Sequence, residues 1–497
     1  MVGVQTIFEP TRRDEIVSDN PLLESHEYEL RWRTVTLNEV LKQGKRLDAS
    51  VFGIEGKHAR EILKQCKWPL TTITGPSGLA NAFYPTRFKR ILVEESDYPL
   101  FLPSQIKEIK PKPKGFLSPL CKTDFRALEV KKGQILLTRS GTIGNCSFVG
   151  KILDCQTMSD DIIRITSKRD IDAGYLYAFL CTKIGNALIR TNEYGAVVSH
   201  IEPEHLDDLP IPNPPEALKR QIHDLVVRSY SLRDESNDLL DQAETMLYNA
   251  LCLPPVEELV PHYFDQCDKL RNYTVNLSDL AGRLDGSYHI PLVDTILRQL
   301  EKGAKEITRI GDTRISKRII LPGRFTRVFV PEGQGAVYFT GKHILELDPS
   351  NKKYLAFAKH RTRIREELTI RKNMLLVTCS GTLGKVVLVP QHWDGWTMTH
   401  DIIRLVPPSE EIAGYIWVFL ASPYGQELIR RFTYGSVVDH IEAEHIVQVA
   451  VPLLKDVTTQ AKINQLAVEA NAKRTEAYYA EQAAIRIINE EVIYATS

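Results

Sequence analysis

The residues best suited to chemistry in this chain are two runs of lysine and arginine. Lys107, Lys110, Lys112, Lys114, Lys122, Arg126, Lys131 and Lys132 fall within 26 residues that hold three acidic ones. Lys352, Lys353, Lys359, Arg361, Arg363, Arg365, Arg371 and Lys372 form a second such run, with two acidic residues. A local cationic excess of this kind neutralises several phosphates of a nucleic acid. Solvated protein surfaces carry such charges as well. What favours phosphate contact is that both runs lie just before the same kind of strand. Arg87, Lys89 and Arg90, with Arg324 and Arg327, form another group. A guanidinium forks onto guanine edges or phosphates, with surface ion pairing as its other use.

Three further motifs carry candidate chemistry. Ser-Gly-Thr-x-Gly occurs at Ser140–Gly144 and at Ser380–Gly384. Ser140, Thr142, Ser380 and Thr382 with their backbone amides could cradle a phosphate. A tight turn after a buried strand is the reading the sequence favours. His-Ile-Glu-x-Glu-His occurs at His200–His205 and His440–His445. It has metal-ligand residue types, but both copies precede a proline-rich exit, which favours structural hydrogen bonding over a metal site. Asn213-Pro214-Pro215-Glu216 resembles the Asn-Pro-Pro-aromatic loop of adenine methyltransferases, yet Glu216 cannot stack a flipped base. No glycine-rich cofactor turn follows a strand, and Gly341-Lys342-His343 lacks the Walker hydroxyl and upstream glycine. No catalytic set emerges, so the chain reads as non-catalytic, with no metal site and no cofactor of its own.

These motifs sit in a duplication. From Leu136 to Pro212 and from Leu376 to Pro452, 33 of 77 positions are identical at a constant spacing of 240 residues. Upstream, Arg46-Leu47-Asp48-x-Ser50 matches Arg283-Leu284-Asp285-x-Ser287, and Arg87-Phe88-x-Arg90 matches Arg324-Phe325-x-Arg327, at a spacing of 237. A repeat this long means two tandem domains rather than a solenoid. Gln134–Thr138 and Met374–Thr378 read as buried strands, and Tyr175–Ile189 and Tyr415–Ile429 as helices.

Each unit then exits through prolines into a long helix. Pro210–Pro215 reads as a linker, because proline continues neither a central strand nor a helix interior. The run from Glu216 to Leu253 lacks glycine and proline. Its Ile222, Leu225, Leu232, Leu239, Ala243, Met246 and Ala250, with Ser229 and Ser236 in the gaps, follow alternating three- and four-residue steps, the seam of a helix packed along a helix. Ile463, Leu466 and Ile487 mark a second seam, with small alanines between them. At 1.5 Å per residue, such helices are about 50 Å long. Their equivalent places in the repeat predict an antiparallel pair with pseudo-two-fold symmetry. The expected architecture is therefore an α/β (α+β) tandem duplication. Its parts are an unassigned leader at 1–30, a first domain at 31–215 and a central helix at 216–253. A second domain at 254–455 and a C-terminal helix at 456–497 complete it.

The 497 residues, 43% hydrophobic and 25% charged, have ordinary globular values. Net charge is zero, a mild argument against nucleic acid that the local basic runs outweigh. No apolar run is long enough to span a membrane, and Met1–Asn20 lacks a signal-peptide core. The eight cysteines form no C-x-x-C pair, consistent with free thiols in a reducing cytoplasm.

Taken in order and twice over, these features resemble the specificity subunit of type I restriction–modification enzymes. The resemblance is carried by the strand leading into Ser-Gly-Thr-x-Gly and by Gly-Tyr-x-x-x-Phe-Leu at Gly174–Leu180 and Gly414–Leu420. The proline-rich exits into helices and Arg-Leu-Asp-x-Ser add to it. It covers nearly the whole chain from about Arg31. It implies two target recognition domains, each reading half of a bipartite site in double-stranded DNA. It also implies helices that set the spacing, roughly 34 Å for one turn of DNA. The implied partners are methyltransferase subunits, two in number, and in some systems a translocating nuclease. S-adenosylmethionine, and ATP and Mg where a motor nuclease is attached, would sit on those partners. The implied setting is the bacterial cytoplasm and phage defence. A type IIB-like system and a protein-binding adaptor stand as alternatives.

Overall fold

The computed structural model describes residues 36–42, 54–191, 199–259, 274–280, 282–435 and 437–495. The leader at 1–30, Arg46–Ser50 and Tyr194-Gly195 lie outside the described residues.

Each half builds the same two four-stranded sheets. In the first half one sheet runs in the order Ala80–Phe83, Ile162–Ser167, Ile135–Thr138, Cys146–Phe148, with all neighbours antiparallel. The other runs Leu92–Val93, Gly115–Leu117, Pro99–Phe101, Thr157–Met158, the last pair parallel. The second half repeats this with Arg318–Ile320, Ile402–Val406, Leu375–Thr378, Val386–Leu388, and with Phe329–Val330, Lys353–Ala356, Gly335–Phe339, Thr397–Met398. Register repeats too: Leu136 faces Arg164, and Leu376 faces Arg404.

Those two arginines tie the sheets of each domain together. Both are fully buried. Arg164 donates to the carbonyls of Ile162 (2.8 Å), Leu128 (3.1 Å) and Met158 (3.2 Å). Arg404 donates to Ile402 (2.7 Å), Met398 (2.9 Å) and Thr399 (3.1 Å). Charge-assisted bonds to several carbonyls replace water around a cation that has left it. Burial pulls both guanidinium groups down to about 10.

Pro210–Pro212 is a strand rather than a linker. It pairs antiparallel with Leu70–Thr72, and Ala450–Leu454 does the same with Ala304–Arg309. A two-stranded ribbon consists only of edges, where a proline's missing N–H removes no ladder bond. The segments expected as single helices are each broken in two, Asp170–Cys181 then Lys183–Thr191, and Glu410–Ala421 then Pro423–Arg430. The break is made by a hydroxyl that caps the second helix. Thr182 Oγ1 accepts from Gly185 N at 2.9 Å, and Ser422 Oγ from Gly425 N at 3.3 Å.

The long helices span Glu216–Leu251 and Val457–Ile487. The start of the central helix (Ile222, Val226) and the end of the C-terminal one (Ala484, Ile487) share the first domain's core. The end of the central helix (Ala243, Leu247, Leu251) and the start of the other (Ile463, Leu466) share the second domain's core. The pairing is therefore antiparallel. Ile222, Leu232, Ile463, Leu466 and Ile487 of the expected seam are buried, whereas Leu225, Leu239 and Met246 are half-buried. Ser229, Ser236 and Ala243 of that seam are buried too, and the buried stripe also takes in Val226, Arg233 and Leu247. A narrow heptad stripe serves one partner helix. This helix must also face a domain on its flank, and that widens the buried face.

Candidate nucleic-acid interface

The Ser-Gly-Thr turns follow the buried strands Ile135–Thr138 and Leu375–Thr378, with Gly141 at φ 74° and Gly381 at φ 73°, a backbone glycine adopts freely. Thr138 Oγ1 closes the first turn onto Thr142 O at 2.5 Å, and Thr378 Oγ1 the second onto Thr382 O at 2.6 Å. The His-Ile-Glu segments lie against these turns. Ser140 bridges His200, and Ser380 bridges His440. Ser140 Oγ lies 2.8 Å from His200 Nδ1. His205 Nδ1 accepts from Glu202 N at 3.1 Å, and His445 Nδ1 from Glu442 N at 3.0 Å. These histidines and glutamates thus serve structural hydrogen bonds. Among the described residues, no group of three or more His, Cys, Asp or Glu is placed to hold a metal ion.

The arginine group joins the same site. Arg87 lies 3.5 Å from Asp161, whose carboxylate also lies 3.4 Å from Ser140 Oγ. Arg90 pairs with Asp160 at 2.5 Å and donates to Ser159 Oγ at 3.0 Å. The Arg87 side chain is 61% exposed and Lys89 is exposed, so this cluster faces solvent. In the second half, Arg324 and Arg327 approach His400, which lies 3.2 Å from Asp401. Burial first, then Arg327, Arg324 and Arg404, hold His400 below its ordinary value against the opposing pull of Asp401. Two motifs that are far apart in sequence therefore meet at one edge of each domain.

Arg139 and Tyr84 belong to the first cluster and were not singled out from the sequence. The Arg139 guanidinium stacks over the Tyr84 ring at 4.4 Å and pairs with Glu202 at 2.5 Å. The only sequence signal is divergence, because Arg139 is Cys379 in the second copy of an otherwise shared motif.

The basic runs divide. Lys359, Arg361 and Arg365 are exposed on the helix Phe357–Arg363 and the turn that follows it. Arg363 instead anchors a loop, donating to Gly323 O at 2.7 Å, stacking on Phe325 at 5.0 Å and pairing with Glu367 at 3.3 Å. In the first run Lys112, Lys114, Lys122, Arg126, Lys131 and Lys132 are exposed, whereas Lys107 and Lys110 are half-buried. Lys107 donates to Ser350 Oγ at 2.8 Å and lies 3.9 Å from Glu346, both in the second domain. Lys110 pairs with Asp241 of the central helix. These two lysines are therefore corrected from a nucleic-acid role to an internal one. Local charge is visible in sequence, but partners more than a hundred residues away are not.

Around Lys107 the two domains touch directly. Glu108 and Glu346, equivalent in the duplication, form an antiparallel bridge, and Ile109 N donates to Leu345 O at 3.0 Å. Lys385 lies 3.7 Å from Glu108, mirroring Lys107 beside Glu346. This bridge marks the pseudo-two-fold axis.

Fold and site together define a duplicated α/β protein with two equivalent arginine-bearing edges carried on one antiparallel helix pair. No protein-family model matches the chain, and no curated protein sequence does. Among solved structures it is similar to a type I restriction–modification S subunit from M. genitalium, at 12% identity over 86% of this chain and 96% of that one, TM-score 0.31. It is also similar to the HsdS subunit of Thermoanaerobacter tengcongensis, at 15% identity over 84% and 98%, TM-score 0.26. A third similarity is to a chain from a study of complex assembly and conformational transition in the type I R-M system. There the identity is 13% over 84% and 97%, TM-score 0.25.

Proposed function

We propose that this chain is the sequence-reading, non-catalytic subunit of a type I restriction–modification assembly. Each domain reads one half of a gapped DNA target, and the helix pair sets the distance between the halves. The observation that carries this reading is the repetition of one arginine edge, Arg87 and Arg90 in one domain and Arg324 and Arg327 in the other, about a pseudo-two-fold axis. Two rigidly related basic sites fit a two-part duplex target better than they fit a single ligand. Asp160 and the Ser159 hydroxyl hold Arg90 in place, so its guanidinium is oriented before DNA arrives. Arg87 is free enough to swing onto a phosphate. Lys112, Lys114, Lys359, Arg361 and Arg365 extend the cationic surface. Methyltransferase subunits would dock on the helices and supply S-adenosylmethionine, and a motor nuclease, where attached, would supply ATP and Mg. The setting is the bacterial cytoplasm.

The test is a pull-down from the native host together with methylome sequencing with and without the gene. Co-purification of a methyltransferase, and loss of one gapped, asymmetric adenine motif on deletion, is the expected result. In the purified complex, Arg87→Ala with Arg324→Ala should lower the salt dependence of DNA binding by about one phosphate contact each, roughly 0.9 in slope. An unchanged methylome with no methyltransferase captured refutes the reading and favours a protein-binding adaptor.

A further inference from the structure

The pseudo-symmetry places two cavities at equivalent junctions of domain and helix pair, and they differ in one residue that matters. Beside the first domain, a cavity of about 160 Å³ is lined by Tyr177, Cys181, Arg233 and Glu481. Beside the second, a cavity of about 480 Å³ is lined by the equivalents Trp417, Ala421, Arg474 and Leu240. In the smaller one, Glu481 pairs with Arg233 at 2.8 Å and also takes the Tyr177 hydroxyl. In the larger one the glutamate's place belongs to Leu240, which is half-buried. Arg474 is nonetheless only 8% exposed. Its Nε donates to Ser236 Oγ at 3.0 Å and its guanidinium lies over Trp417 at 5.0 Å. Among the described residues no carboxylate pairs with it. The Oδ1 of Asn471, on the same cavity, is buried without a hydrogen-bond partner.

A buried guanidinium without a carboxylate is expensive to keep, and burial draws Arg474 down to about 10. Against the same pull of burial, the Glu481 carboxylate with Tyr230 and Tyr177 holds Arg233 above its ordinary value. The other cations on the larger cavity are already matched: Lys385 with Glu108 at 3.7 Å, Lys110 with Asp241, and Arg430 with Glu427 at 2.6 Å. Lys112 at the rim faces Glu244. One unmatched positive charge calls for a monoanion, and a phosphate dianion would leave charge uncompensated. Leu240, Val386, Leu388, Trp417 and Val418 give the cavity an apolar wall, beside polar residues such as Gln105, Glu346, Thr382 and Gln426. The volume lies within the range of ordinary small-molecule sites.

We propose that this cavity binds a small organic carboxylate. Its acid group sits on Arg474 as Glu481 sits on Arg233, and its apolar body lies against Trp417, Leu240 and Leu388. Because the cavity is walled by the second domain, both helices and the Gln105–Lys112 loop of the first domain, an occupant braces the domain junction. The inference stands on the pseudo-symmetric comparison and does not require that the chain bind DNA.

The test uses the full-length chain and 2-naphthoate, an aromatic carboxylate, with neutral 2-naphthamide as its isostere. Wild type is expected to bind 2-naphthoate at one saturable site, and 2-naphthamide at least about tenfold more weakly. Arg474→Met should weaken naphthoate binding by at least about tenfold. Leu240→Glu supplies the carboxylate from within, so it should abolish binding while raising Tm. That rise shows the loss is not unfolding, and it keeps the test decisive should Arg474→Met fail to fold. No saturable binding to wild type below about 5 mM, equal binding of acid and amide, or unchanged binding in Leu240→Glu overturns the proposal.

Discussion

Replacing Gly174 by alanine separates helix propensity from packing, because the two act in opposite directions. Gly174 lies in the helix Asp170–Cys181, and in an isolated helix the change to alanine gains about 1 kcal/mol. Here a Cβ on Gly174 would stand 2.7 Å from His223 Cα and 3.1 Å from His223 O, in the backbone of the central helix. No rotamer relieves a clash with backbone, so the helices must part by about 1 Å, and such overpacking costs about 1–3 kcal/mol. Parting also stretches the bond from Gly174 N to His223 Nδ1, now 3.2 Å, and that from Tyr175 Oη to Pro212 O, now 2.5 Å, each worth about 1 kcal/mol. The net expectation is a loss of roughly 2–4 kcal/mol. Gly414→Ala should behave alike, since its Cβ would meet Asn464 O at 2.6 Å. Gly323, with nothing within 4 Å of a Cβ, is the control and should change stability by less than about 0.5 kcal/mol on conversion to alanine. Urea unfolding followed by circular dichroism and by tryptophan fluorescence measures all three. Wild-type or higher stability in Gly174→Ala and Gly414→Ala would refute the close-packing argument.

Two further perturbations follow from the helix seam. Glu481→Ala leaves Arg233 buried without its carboxylate and should cost about 3–5 kcal/mol in urea unfolding, whereas an exposed pair such as Lys151–Asp238, 64% and 59% exposed, should cost under about 1 kcal/mol when broken. His392 is buried, has no carboxylate partner among the described residues, bonds Leu347 O at 2.9 Å and stacks on Tyr478 at 4.3 Å. Burial, opposed by the Leu347 carbonyl and aided by Lys352, Arg233 and Arg474, draws it from 6.5 to about 4. The folded state thus binds its proton less readily than the unfolded state. Its contribution to stability is whole above pH 6.5 and declines as pH falls to about 4, by up to about 3 kcal/mol. His392→Leu should flatten that part of a Tm-against-pH curve, and an unflattened curve would remove His392 as the cause.

The tandem duplication, the paired long helices and the motif order were legible in the sequence because they are local or periodic. Identity at a constant spacing of 240 residues needs no coordinates, and neither does a long run without glycine or proline. Ser140, Ser380 and the arginines Arg87, Arg90, Arg324 and Arg327 were likewise legible as candidates by type and repetition. That Arg87 and Ser140 share Asp161 was not, since the sheet, rather than the chain order, brings Ile162–Ser167 beside Ile135–Thr138 and Ala80–Phe83. Only the tertiary structure decided that Lys107 and Lys110 are spent on the domain junction. It also decided that Arg164 and Arg404 lie buried among carbonyls, and that Arg474 lacks the carboxylate Arg233 has. Sequence states which charges exist. Their energies depend on burial and on partners brought from far along the chain, and those are settled only when the two halves close around their common axis.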